Sequence, residues 1–116
     1  MKDGNPQMSF GVMGGNMQPQ GHMQTLSRMV DHQQHPQAAC DAARWRVHTG
    51  MMIDLESQME PGVSAALQSM GHDVTPVTDS YMDFGSGQFI WRLSDDIADG
   101  YVAASDSRRD GHAACF

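Results

Sequence analysis

The stretch GVMGGNMQPQGHMQ, residues 11–24, constrains the fold more than any other. The apolar run MSFGVM (8–13) reads as a short buried strand that enters a glycine turn. From Gln18 to about Gln34 the spacing becomes helical: Met23, Leu26 and Val30 recur at steps of three and four, with Met29 beside them. Pro19 suits the first turn of that helix, where its missing N–H costs nothing. Gly14 and Gly15 therefore stand between a strand and a helix. Two bare backbone positions there allow positive φ and let another group come close. The start of the helix adds free N–H groups and the positive end of a dipole. That combination suits an anion, either a phosphate or the oxyanion of a tetrahedral intermediate. The alternative is a tight turn with no ligand, and a glycine pair does not separate the two. The phosphate-loop pattern GxxxxGK[ST] is absent, and the stretch holds no lysine.

The rest of the chain alternates helix and strand. Pro36 opens a second short helix that runs to about Ala43. RWRVH (44–48) alternates as a strand does, and MMIDLES (51–57) is a weaker strand. EPGVSAALQSM (60–70) is helical, with Val63, Ala66, Leu67 and Met70 as its apolar face and Gly71 as its stop. DVTPVTD (73–79) is a short strand that Pro76 moves toward a sheet edge. GQFIWRL (87–93) and GYVAASD (100–106) form a hairpin pair across SDDIAD. At 116 residues this order predicts one domain, 1–116, of α+β class with mixed α/β layers: a sheet with helices packed on one face.

Composition removes several functions. The net charge is −7, with one lysine and six arginines, so a nucleic-acid partner would be repelled. No apolar run approaches the roughly 20 residues of a membrane helix. MKDGNPQMSF has no apolar signal-peptide core, and the compartment stays unknown. Cys40 and Cys115 form no CxxC pair, and Cys40 reads as a small buried hydrophobe rather than half of a disulfide. Eleven methionines and six histidines suggest a soft metal, with Met8, Met13, Met17, Met23 and Met29 as the cluster. Yet the histidines (22, 32, 35, 48, 72 and 112) form no HxxxH or HExxH pair, and methionine fills irregular cores well. No metal and no cofactor are expected. Thr25 and Ser27 read as helix-surface hydroxyls rather than nucleophiles. Asp106, Arg108, Arg109 and Asp110 read as a solvated face or as an ion pair that holds the tail. Trp45 and Trp91 lie in strands as core or packing surface. DFGSGQ (83–88) reads as a turn or bulge before a strand.

GVMGGNMQPQGHMQ, DAARWR, LESQMEPGVSAALQSMGHDV, FGSGQFI and GYVAASDSRRDGHAACF resemble, in that order, the C-terminal part of the small, catalytic subunit of the γ-glutamyltransferase family. The resemblance covers nearly the whole chain. Its most specific parts are the Gly-Gly block with MQPQGH and the closing SDSRRDG, and GGNMQPQGH is similar to a γ-glutamyltransferase-like or acylase-like branch rather than to the best-studied transpeptidases. The resemblance implies an N-terminal-nucleophile hydrolase with a four-layer αββα sandwich. In that family a precursor cuts itself into a large and a small subunit. The cut exposes a threonine that is both nucleophile and, through its own α-amine, base. It attacks a γ-glutamyl amide such as glutathione, and the acyl-enzyme passes to water or an amine.

The family's paired glycines supply oxyanion N–H groups and map onto Gly14 and Gly15, where losing one donor would cost about 3 kcal/mol of barrier. Its nucleophile block, and the carboxylate and serine segments that grip the substrate, lie upstream of the matching region. The segment is therefore expected to need the large subunit and the upstream part of the small subunit, and to be inactive alone. Left by itself it is expected to self-associate through unpaired edges and faces. Ser107 stands where the family usually has proline. Two other readings remain. One is a cephalosporin-acylase-like hydrolase of a glutaryl amide. The other is a non-catalytic α/β module that binds a partner through a sheet edge.

Overall fold

The computed structural model describes residues 1–114, and its strands form two separate three-stranded sheets. The first sheet has the order β1 (Met8–Met13), β5 (Ser86–Arg92), β6 (Tyr101–Ser105), all antiparallel. Phe10 pairs with Phe89, and Met13 pairs with Ser86 at the end of the ladder. Two helices, α1 (Gln18–Val30) and α2 (Pro36–Asp41), pack on this sheet. Val12, Met29, Ala39, Cys40, Phe89 and Ala104 form the buried core, with Met8, Phe10 and Trp91 packed at its margin. The Phe10 and Phe89 rings stack with centroids 5.9 Å apart.

The second sheet has the order β2 (Trp45–Val47), β3 (Met52–Glu56), β4 (Asp73–Val77). β2 and β3 are antiparallel, and β3 and β4 are parallel across the helix α3 (Pro61–Ser69). Pro76 lies in β4, the outer strand, where no neighbour needs its missing N–H. Gly71, at φ +95°, closes α3 as expected: the His72 N–H reaches the Leu67 carbonyl and the Gly71 N–H reaches that of Gln68. A single turn, α4 (Ser80–Asp83), leads back into β5.

The chain is α+β, but the expected single sheet is two. Among the described residues, no ladder joins the β1-β5-β6 set to the β2-β3-β4 set. Helix α1 also differs from its spacing. It ends at Val30 rather than near Gln34, and its buried residues are Gly21, Gln24, Thr25 and Met29. Met23 and Val30 are half or more exposed. The reason is close packing. A Cβ on Gly21 would lie 2.7 Å from Val12 Cγ1, so only glycine lets α1 approach β1 this closely. Gln24 then ties α1 to β2 by donating to the Trp45 carbonyl at 2.8 Å and accepting its N–H at 3.0 Å. Thr25 is buried, not a surface hydroxyl, and donates to the Gly21 carbonyl at 2.8 Å. Ser27 is a hydroxyl near the surface that donates to Asp31. The apolar face expected on α3 is open: no α3 residue is buried. Trp45 and Trp91 are half-buried packing residues. Cys115 lies outside the described residues, and Cys40 is buried.

Candidate functional site

Between β1 and α1 the chain makes a turn with two left-handed glycines. Gly14 has φ +142° and Gly15 φ +57°, after which a single 3-10 turn, Gly15–Met17, feeds α1. The Met17 N–H closes the turn on the Gly14 carbonyl at 3.0 Å, and the buried Met17 side chain anchors it. Among the described residues, no backbone or side-chain acceptor takes the Gly14 or Gly15 N–H. Gly14 is half-buried and Gly15 exposed.

The two glycines are needed for different reasons. A Cβ on Gly14 would stand 2.9 Å from Gly85 Cα. A Cβ on Gly85, itself at φ +69°, would stand 2.1 Å from the Met13 carbonyl oxygen. Two glycine backbones therefore touch across the space between the β1 turn and the start of β5. Gly15 meets open space, and only its φ calls for glycine. The DFGSGQ block is thus the packing partner of the Gly-Gly block. On the other side of the turn, His22 Nε2 accepts the Val12 N–H at 2.8 Å, and Phe10 meets the His22 ring edge-on. An accepting Nε2 places the imidazole proton on Nδ1.

Behind the Gly14–Gly85 contact lies a buried charge cluster. Arg44 and Asp106 form an ion pair, Nη2 to Oδ2 at 2.7 Å, with both side chains fully buried. Arg44 Nη1 donates to the carbonyls of Phe84 at 2.9 Å and Gly85 at 3.1 Å. Asp106 Oδ2 also accepts the Gly87 N–H at 2.7 Å. Arg108 donates to Asp106 Oδ1 at 3.0 Å and to Glu56 Oε1 at 2.6 Å, and the Glu56 carboxylate accepts the Arg44 backbone N–H at 2.6 Å. Of the two readings of the terminal charge run, the ion pair holding the tail is the one that forms, and it is buried rather than solvated. Arg109 stacks on the Tyr81 ring, 3.4 Å from its centroid, while Ser107 and Asp110 are exposed.

Burial alone would raise the pKa of Asp106. The Arg44 charge, the N–H groups of Arg108 and Gly87, and the Arg108 charge outweigh it and hold the carboxyl below its ordinary value. Burial first, and the Asp106 charge second, push the Cys40 thiol up to about 12, so it is no thiolate at neutral pH. Arg44 and Glu56 carry no role in the sequence reading. Each stands two positions from another charge of its own sign, Arg46 or Asp54, and carries no local signal of its ion-pair partner, Asp106 or Arg108, 62 and 52 positions away. A buried strand that ends in a charged residue, as MIDLE does, was the one available hint. Among the described residues, no three His, Cys, Asp or Glu side chains converge as metal donors. No described helix is long and apolar enough to cross a membrane.

The comparisons with known proteins agree on one family. The family model described as gamma-glutamyltranspeptidase matches residues 1–116. The oxamate amidohydrolase proenzyme of Klebsiella pneumoniae is 29% identical over 114 residues, covering 94% of this chain and 21% of that protein. The glutathione hydrolase-like YwrD proenzyme of Bacillus subtilis is 41% identical over 44 residues, 38% of this chain and 8% of that one. The chain therefore spans at most about a fifth of these curated relatives. Among solved structures, cephalosporin acylase from Bacillus halodurans superimposes on the whole chain with a TM-score of 0.90 at 40% identity, over 21% of its own length. Gamma-glutamyltranspeptidase from Pseudomonas nitroreducens, complexed with L-DON, covers the whole chain with a TM-score of 0.84 at 20% identity, over 58% of its own length.

Proposed function

The chain belongs to the gamma-glutamyltranspeptidase family, and from that premise we propose that it forms the oxyanion-binding part of an amidohydrolase that cleaves γ-glutamyl amides through a threonine acyl-enzyme. One observation carries the reading. Two adjacent left-handed glycines hold uncommitted N–H groups at a strand–helix junction, with the start of α1 immediately behind them.

In the proposed step, a threonine supplied from outside residues 1–116 adds to the amide carbonyl carbon. The carbonyl oxygen takes the negative charge, and the Gly14 and Gly15 N–H groups donate to it. A turn already closed by the Met17 N–H on the Gly14 carbonyl would need little reorganisation as that charge appears, which is what makes such donors effective. The threonine's own α-amine takes the hydroxyl proton and passes it to the amide nitrogen, the carbonyl re-forms as the C–N bond breaks and the amine leaves, and the acyl group then passes to water or to an acceptor amine, which frees the threonine. The threonine, the carboxylate and serine groups that hold the substrate, and the large subunit are contributed by the remainder of the full-length protein.

The pattern of identities favours a second reading of the same site. The chain is 40% identical to a cephalosporin acylase and 29% to an oxamate amidohydrolase, against 20% for the Pseudomonas gamma-glutamyltranspeptidase. On that reading the amide is a glutaryl or oxamic one, and the glycine turn keeps its role.

A substrate panel separates the two. The full-length protein is expected to turn over a γ-glutamyl anilide with higher kcat/KM than a glutaryl anilide or oxamate, and the 116-residue chain alone is expected to turn over none. Preference for glutaryl anilide or oxamate gives the site to the second reading. Activity on none of the three leaves a non-catalytic interaction module. Exposed Met23, Val30, Ile90 and Leu93 support the further expectation that the isolated chain self-associates. Light scattering should give the mass of a dimer or more, and one chain's mass at high concentration would contradict that.

A further inference from the structure

We propose that the buried Arg44–Asp106 pair is a positioning device for the Gly14–Gly15 turn, acting through the Phe84–Gly87 segment. The proposal deepens the functional reading above and rests on it for its catalytic consequence.

The pair grips three main-chain groups on the two sides of Gly85. Arg44 Nη1 holds the Phe84 and Gly85 carbonyls, and Asp106 Oδ2 holds the Gly87 N–H. The other arm of the guanidinium holds Asp106 itself, at 2.7 Å, and the Cys40 carbonyl at 3.2 Å. Gly85 is the surface on which the turn rests: a Cβ on Gly14 would stand 2.9 Å from Gly85 Cα, and a Cβ on Gly85 would stand 2.1 Å from the Met13 carbonyl oxygen. A shift of Gly85 by a few tenths of an ångström is therefore transmitted to Met13 and Gly14 by direct contact. Oxyanion donors tolerate little of this, since catalytic constellations need holding to within about 0.5 Å.

Arginine suits this role and lysine does not. The planar fork presents its N–H groups in two directions at once, to the carbonyls on one side and to a carboxylate on the other. An ammonium has its three donors at one point and cannot span both. The pair is also closed off by further contacts. Arg108 takes the second oxygen of Asp106, and the Cys40 thiol lies 3.6 Å from the first. Neither Arg44 nor Asp106 is exposed, so neither touches substrate. Arg44 and Asp106 are positioning residues.

The test uses the full-length protein, Arg44→Lys, Asp106→Asn as a shape-preserving second variant, and Gly15→Ala, which alters the turn directly without a clash. On a γ-glutamyl anilide, Arg44→Lys is expected to lower kcat about 10–100-fold with KM within about threefold, as for a misplacement remote from the reacting atoms. The loss in the Arg44→Lys/Gly15→Ala double variant should fall well short of the product of the single losses, because both act on one turn. Hydrogen exchange supplies a readout independent of turnover. In either single variant of the pair, amides of residues 12–17 should exchange at least about tenfold faster, while β3 keeps its wild-type rate. Unchanged exchange at 12–17, or an equal rise throughout the protein, overturns the proposal. So do losses that multiply in the double variant. A wild-type protein without turnover on the anilide sinks the functional reading instead, and the exchange pattern still decides whether the pair holds the turn.

Discussion

Gly85→Ala is expected to destabilise the chain by about 3–4 kcal/mol, at the upper end of what one added methyl group does. Two effects add. The left-handed backbone at φ +69° disfavours any side chain. The new Cβ would sit 2.1 Å from the Met13 carbonyl oxygen, a backbone atom that cannot swing aside as a side chain would. Relief requires β1 and β5 to part at the end of their ladder, where Met13 pairs with Ser86. Gly15→Ala is the matched control. It imposes the left-handed penalty of about 1–2 kcal/mol alone, because its Cβ meets open space. Urea unfolding of the two variants, read against the wild type, measures the difference. Equal losses would mean that the Met13–Gly85 contact has no steric weight.

The second large effect concerns Asp106. Asp106→Ala leaves the Arg44 guanidinium buried with no carboxylate opposite it, a change that typically destabilises by about 3–5 kcal/mol. The pH dependence follows from the lowered pKa. A carboxyl whose folded value lies below its unfolded one contributes stability that is complete above the unfolded value, about 4. That contribution disappears as the pH falls through the folded value. The wild-type chain should therefore lose stability steeply below about pH 4, and Asp106→Asn should flatten the curve there. The flattening will be partial. Burial works against ionisation of Asp54, but its bonds and charge interactions with His48 and Arg46 outweigh it and lower its pKa too. Denaturant midpoints collected from pH 7 down to pH 3 supply the comparison. An Asp106→Asn curve parallel to the wild type would remove the pair from the acid sensitivity.

Element positions were legible where the local chemistry was strong. The strand into Gly14, the proline-led helices at 19, 36 and 61, the Gly71 stop and the β5–β6 hairpin all depend on short-range rules, and all appear. The helix faces were not legible, because burial there is decided by what arrives from elsewhere. Met23, Leu26 and Val30 have the right spacing for a core. Gly21, Gln24 and Thr25 are what face β1 and β2, since a glycine allows close approach and Gln24 can bond to a main chain. The same holds for the candidate site. Gly14 and Gly15 stand out in the sequence, but Gly85 as their contact and Arg44 as the hold on Gly85 depend on pairings across 40 to 70 residues. A charged residue reads as surface until its buried counter-ion is known. The division into two sheets was equally hidden, because period-two alternation says where a strand is and not which strand it pairs with.

Intact-mass measurement of the full-length protein, before and just after mixing with a γ-glutamyl anilide, tests most directly whether Gly14 and Gly15 serve a threonine acyl-enzyme. Two chains are expected before mixing, the smaller opening on threonine and containing residues 1–116. After mixing, the smaller chain should gain the mass of one γ-glutamyl group, and Gly15→Ala should slow that gain. A single uncut chain whose mass does not change would contradict the assignment and leave the glycine turn as packing alone.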